Sequence, residues 1–171
     1  MASPLVVNAL ELLRRPGSRK DLVVVVPLDD VDLAGEDRLV DDSEVSVELS
    51  CESTSDAVVV MGAVRVGTRG VCRRCLRDVE GELTIGIHET YQEARTDPDA
   101  FPIENDQIDL RSMIRESVLL DVPEAPLCRP DCPGLCPVCG ADMSTETCSC
   151  VVETVDPRWS VLSDLRDSLP E

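Results

Sequence analysis

Six of the nine cysteines in this chain lie within one short stretch, CRPDCPGLCPVCGADMSTETCSC from Cys128 to Cys150. Two more stand upstream in VCRRCL, as Cys72 and Cys75. Nothing else in the sequence limits the fold as strongly. Such a set can form disulfides, a redox pair or a metal site. An odd total fits poorly with complete internal pairing. The N-terminus, MASPLVVNALELL, lacks the basic start, apolar run and cleavage site of a secretory leader. The longest apolar run, LVVVVPL from Leu22 to Leu28, is far too short for a membrane span. The expected home is the cytoplasm, where clustered cysteines serve as metal ligands or reactive thiols more often than as structural disulfides.

Zinc takes four thiolate or imidazole ligands in a tetrahedron. A Cys-x-x-Cys turn brings two sulfurs to one metal and turns free backbone N–H groups toward their charge. Cys136-Pro-Val-Cys139-Gly reads as such a knuckle, with Gly140 free to take a positive φ. Cys72-Arg-Arg-Cys75 reads as a second. Cys128 and Cys132 are spaced within what zinc tolerates, and Cys148-Ser-Cys150 is tighter. The economical partition joins Cys136, Cys139, Cys148 and Cys150 in one local site. It then joins Cys128 and Cys132 to the distant Cys72 and Cys75, pinning a cysteine-rich lobe to the rest. Two zinc ions (Zn2+) are therefore favoured. One zinc drawn from the six C-terminal cysteines, with CRRC as a separate thiol pair, remains the rival. A thioredoxin-type use of CRRC would need a helix start in a βαβ setting, which is absent. Cys51 falls on the apolar side of an alternating strand and reads as a buried structural thiol.

The surrounding pattern is α+β, mostly antiparallel sheet with two or three helices. LVV is a short strand and ALELLRR a brief helix capped by Asn8. DLVVVVPL reads as a buried-type strand. Asp29 to Ser43 is an acidic loop without periodicity, read as a solvated connection or a docking surface for a basic protein. EVSVELSCES alternates, with Val45, Val47, Leu49 and Cys51 on one side. Strands also cover Ala57 to Val66 and Glu82 to Tyr91, with CRRC where a hairpin connection belongs. Asp109 caps a helix, with Ile108 and Met113 as a hydrophobic staple and Leu110, Met113, Ile114 and Val118 on one face. Pro123 ends it. DPRWSVLSDLRDSLP reads as a final helix capped by Asp156, with Pro157 in its first turn. The expected organisation is a sheet domain over 1–122, a zinc-binding lobe over 123–152 and a tail over 153–171 packing back on the domain.

Closed four-cysteine sites leave no open position for water or substrate, so they contribute folding energy rather than catalysis. His88, the one histidine, lies on the polar side of its strand. No phosphate-cradling glycine loop or nucleophile elbow occurs. The chain reads as a non-enzyme without a small-molecule substrate or membrane role. Its net charge of −18 is opposite in sign to that of proteins that coat nucleic acid. One basic island departs from this: Arg65, Arg69, Arg73, Arg74 and Arg77, with no acid among them. These five either offset thiolate charge or present a patch to phosphate.

The ordered set CRRCL, IDL, LLDVPEAPLC, DCPGLCPVCGADM, CSC and DPRWSVLSDL resembles the YceD family of bacterial and plastid proteins, described as large ribosomal RNA subunit accumulation proteins. The likeness runs from about Val45 to Leu165, more weakly over the N-terminal strands. It implies a factor for accumulation or maturation of 23S rRNA. The implied partners are the precursor large subunit, with 23S rRNA or a basic large-subunit ribosomal protein as the direct contact. It also implies a gene commonly beside that of a small zinc-containing large-subunit ribosomal protein. It offers no catalytic residue. The competing reading is a zinc-dependent protein–protein adaptor or metal-handling protein.

Overall fold

The computed structural model describes residues 3–94, 96–151, 159 and 162. In chain order the elements are β1 (Val6–Asn8), α1 (Ala9–Leu13), β2 (Arg19–Pro27), a 3-10 turn (Leu28–Val31), β3 (Glu44–Ser53) and β4 (Ala57–Val71). They continue with β5 (Asp78–Gln92), β6 (Phe101–Pro102), β7 (Gln107–Asp109) and α2 (Leu110–Asp121). Five strands form one sheet in the order β2-β3-β4-β5-β6, antiparallel except for the β5–β6 pair. β1 and β7 pair separately. The expected α+β architecture is what the chain adopts. The final helix expected around Asp156 and Pro157 lies outside the described residues.

Local chemistry explains the helix starts. The Asn8 side chain accepts the Glu11 N–H at 3.2 Å, and the Asp109 carboxylate accepts the Arg111 N–H at 3.0 Å. Ile108 and Met113 are both fully buried, as a staple requires. α2 buries Leu110, Met113, Ile114 and Val118 against the sheet. The sheet supplies Val45, Val47, Leu49 and Cys51 from β3, with Val60 and Val64 from β4 and Ile85 and Ile87 from β5. Alternation by two is what puts each set on one face. Tyr91 closes the far end: it stacks on Phe101 with centroids 5.3 Å apart, and its hydroxyl donates to the Asp109 carbonyl at 3.1 Å. Two of the three aromatic residues are spent there. No helix among the described residues is long and apolar enough to cross a membrane.

Two segments depart from expectation. β2 is not buried on both faces: it is the edge of the sheet, and Val23 and Val25 stand 76% and 57% exposed. A continuous apolar run is the pattern of a central strand, but here nothing pairs beyond it among the described residues. The acidic loop is anchored rather than free. Val31, Leu33 and Leu39 are buried in the core, too widely spaced to make a period, while Asp29, Asp30, Asp32, Asp37, Asp41 and Asp42 remain exposed. Val40 N–H donates to the Gly67 carbonyl at 3.1 Å, and Arg69 N–H to the Arg38 carbonyl at 2.8 Å. The loop thus takes over the side of β4 that β3 leaves at the Ser46–Arg65 pair.

That arrangement lets β4 and β5 run on as a long hairpin. β4 reaches Val71 and β5 begins at Asp78, both beyond the expected strand limits. The last pair is Val71 with Asp78. CRRC therefore sits at the tip of a two-stranded arm.

Candidate metal centres

Between Val71 and Asp78 the chain turns through Cys72-Arg73-Arg74-Cys75-Leu76-Arg77. Leu76 N–H donates to the Cys72 carbonyl at 2.9 Å, and Cys72 N–H to the Arg77 carbonyl at 2.8 Å. The same turn recurs in the lobe. Gly140 N–H donates to the Cys136 carbonyl at 2.8 Å, and Cys136 N–H to the Ala141 carbonyl at 2.8 Å. Flanking residues match as well: Leu135 bridges to Asp142 as Val71 pairs with Asp78. The residue after the second cysteine is left-handed in both, Leu76 at φ 60° and Gly140 at φ 76°. VCRRCLRD and LCPVCGAD are two copies of one knuckle.

The lobe is docked directly on the first knuckle. Arg73 N–H donates to the Pro126 carbonyl at 3.0 Å, and Leu135 N–H to the Arg74 carbonyl at 3.0 Å. The Arg74 guanidinium donates to the Cys132 carbonyl at 2.9 Å. Gly134, at φ 79°, lets the two backbones meet: a Cβ there would lie 3.0 Å from the Arg74 oxygen.

This docking assembles two sets of four sulfurs. Cys72, Cys75, Cys128 and Cys132 form one, and Cys136, Cys139, Cys148 and Cys150 the other; within each, all sulfurs lie within 4.8 Å. The Cys72–Cys132 and Cys75–Cys128 sulfurs are 3.9 and 3.6 Å apart. Four sulfurs about 2.3 Å from a central zinc would stand roughly 3.8 Å apart. The donor sets fit a tetrahedral thiophilic ion, and all nine cysteines are free thiols. The first set draws two ligands from the hairpin and two from the lobe; the second is local. Cys51 belongs to neither. It is buried in the sheet core, and burial pushes its thiol up to about 11.

The knuckle backbone prepares thiolates in both sets, and the Arg77 N–H also holds the Cys75 thiol below its ordinary value. N–H groups of Cys128, Cys75 and Arg74 push the Cys72 thiol down to about 5. Those of Cys139 and Val138 push Cys136 down to about 6. Burial and neighbouring sulfurs act the other way on Cys128, up to about 12. Hydrogen bonding to the Cys139 sulfur, then burial, does the same to Cys150, also to about 12. Two such opposed thiols in a small space favour a cation that lets all four ionise together.

The five arginines fare unequally. Arg65 pairs with Glu48 at 2.7 Å, Arg69 with Asp41, and Arg77 with Asp142 at 3.2 Å. Arg74 is committed to the lobe carbonyls. Arg73 is exposed and its side chain has no partner among the described residues. His88 is exposed on the polar side of β5. Sequence reading missed Asp142, Gly134 and Pro126 as docking residues. The shared Asp of the two knuckle copies is the signal that pointed to the first of these.

A small α+β protein whose lobe is docked on a hairpin, with one tetracysteine cluster spanning the two and a second within the lobe, is the class these features define. The family model described as "Large ribosomal RNA subunit accumulation protein YceD" matches residues 60–166, and the chain belongs to that family. An uncharacterized protein of Mycobacterium tuberculosis is 35% identical over 175 residues, covering 96% of this chain and 83% of the relative. One of Mycobacterium leprae is 32% identical over 174 residues, covering 96% and 79%. A chloroplastic protein of Arabidopsis thaliana named "Large ribosomal RNA subunit accumulation protein YCED homolog 1" is 32% identical over 71 residues, 42% of this chain and 22% of that protein. No solved structure matches.

Proposed function

We propose that this chain is a non-enzymatic factor of large ribosomal subunit biogenesis, acting in the cytoplasm to promote accumulation or maturation of 23S rRNA. It does so by binding rRNA or a basic large-subunit ribosomal protein in the precursor particle. The observation that carries the reading is the family match over residues 60–166, which runs through both cysteine clusters. The clusters act as structural zinc sites, with Cys72, Cys75, Cys128 and Cys132 on one ion and Cys136, Cys139, Cys148 and Cys150 on the other. A closed thiolate tetrahedron supplies folding energy to a lobe too small to bury its own core. The lobe over 123–152 then serves as a rigid appendage on the sheet domain over 1–122. Arg73, with Arg65, Arg69, Arg74 and Arg77 behind it, is the point of approach to phosphate.

Depletion of the protein tests this. Mature large-subunit rRNA should fall relative to small-subunit rRNA, and the protein should sediment with precursor particles and be missing from translating ribosomes. Normal rRNA ratios after depletion, with no co-sedimentation, would assign the chain to the adaptor class.

A further inference from the structure

The open edge of β2 is the surface that neither the metal centres nor the core explains. β2 runs for nine residues as the first strand of the sheet. Its pairing register places Lys20, Leu22, Val24 and Val26 opposite Cys51, Leu49, Val47 and Val45. Ser53 N–H donates to the Ser18 carbonyl at 2.9 Å, which makes that pair a hydrogen-bonded one. Hydrogen-bonded and open pairs alternate along an antiparallel ladder. The N–H and C=O groups of Asp21, Val23 and Val25 therefore point away from β3, into solvent.

The side chains at this edge are apolar on both faces. Val23 and Val25 are exposed on the outer face, and Leu22 and Val24 are only half-buried on the inner one. Soluble proteins guard a long edge with lysine, proline or a bulge. Here a lysine at one end and Pro27 at the other leave the middle unguarded. On the outer face the charge beside the edge is mainly acidic: Asp21 on β2 pairs with Arg19 at 2.8 Å and Glu48 on β3 with Arg65 at 2.7 Å, while Glu44 and Glu52 on β3 have no ion pair among the described residues. A second copy of a chain with net charge −18 would meet repulsion there.

The geometry points to β2 as an acceptor strand: an extended, basic segment of another protein adds to its open edge by main-chain hydrogen bonding. Apolar side chains of the incoming strand pack on Val23 and Val25 while its lysines or arginines face Glu44 and Glu52. Main-chain bonds supply affinity and the alternate side chains supply selection. The surface stands independently of the ribosomal reading, which bears only on where such a segment comes from.

The test uses the full zinc-loaded chain and a synthetic peptide of alternating lysine and valine, about as long as β2. Binding is followed by fluorescence anisotropy and by hydrogen exchange of the β2 amides. Val23→Pro removes one outward N–H and no bond to β3, so the fold is retained. Expected are slowed exchange at Val23 and Val25 on binding and at least roughly tenfold weaker affinity in Val23→Pro. A peptide N-methylated at alternate amides should bind equally poorly. Unchanged unfolding temperature and zinc content in Val23→Pro keep the comparison valid; if the proline variant does not fold, the N-methylated peptide on the parent chain carries the test. Equal binding by the N-methylated peptide would overturn strand addition in favour of charge alone. Dimerisation of the free chain that Val23→Pro abolishes would make the occupant a second copy. Competition by single-stranded RNA, lost in the same variant, would make it a nucleic acid.

Discussion

Leu76 and Gly140 hold the same position in the two knuckles, one residue past the second cysteine, both left-handed and both donating N–H to the first cysteine's carbonyl. Glycine reaches that conformation without penalty, whereas a residue with a Cβ meets its own carbonyl at a cost of about 1–2 kcal/mol. The first knuckle tolerates leucine because both ends of the turn are fixed, by the β4–β5 ladder on one side and the docked lobe on the other.

Leu76→Gly should therefore stabilise the folded chain. Leu76 is 64% exposed, so little burial is lost. The added freedom of glycine in the unfolded chain offsets part of the gain, leaving a net effect of under about 1 kcal/mol. Gly140→Leu should destabilise by about 1–2 kcal/mol. Urea unfolding of both variants with zinc bound measures the pair, and destabilisation by Leu76→Gly would contradict the equivalence of the two turns.

Metal removal should act in two stages. Protein purified under reducing conditions should carry two zinc ions per chain. Cys72→Ser should lose the one that bridges hairpin and lobe while the local site of Cys136, Cys139, Cys148 and Cys150 keeps its own. Loss of the bridging ion should also free the docking contacts, seen as faster exchange at the Leu135 N–H. A stoichiometry of one, unchanged by Cys72→Ser, would refute the partition.

What could be read from the sequence was local. The caps at Asn8 and Asp109 and the staple of Ile108 and Met113 depend on neighbours within one helical turn. The grouping of eight cysteines into two fours followed from counting, because two knuckles and two remaining pairs leave few economical arrangements. β2 was misjudged because five consecutive apolar residues say nothing about what lies beyond them. Val31, Leu33 and Leu39 carry no period, so their burial in the core was invisible. The carboxylate partners of Arg65, Arg69 and Arg77 were not legible, because Glu48, Asp41 and Asp142 reach them only through strand register and lobe docking.

The thiol at Cys51 should give stability a component that disappears at high pH. Its folded value, about 11, lies above the ordinary 9.0, so the neutral thiol is the form the fold favours. The contribution is complete below about pH 9. It declines as the unfolded chain begins to ionise and is lost as pH rises through 11, at most about 2–3 kcal/mol. Comparing the slope of unfolding free energy against pH in Cys51→Ala and the parent isolates it, since a cavity lowers stability equally at every pH. Identical slopes above pH 9 would show that this thiol ionises as freely folded as unfolded.

Arg73 and Arg74 are neighbours with opposite assignments, and single substitutions separate them. The Arg74 guanidinium is spent on the Cys132 carbonyl, so Arg74→Ala should weaken lobe docking by about 1 kcal/mol and lower retention of the bridging zinc. Arg73 contributes only its backbone, through the N–H to the Pro126 carbonyl. Arg73→Ala should leave stability within about 0.5 kcal/mol and zinc content intact. Its side chain is carried on a turn that the β4–β5 ladder and the docked lobe hold still, so meeting a phosphate costs it little ordering. Association with precursor particles should then weaken in Arg73→Ala, and the slope of log affinity against log salt should fall by about one. If Arg73→Ala binds those particles with the parent's affinity at every salt concentration, the island serves only to neutralise thiolates and carboxylates. The contact with the particle must then be made elsewhere.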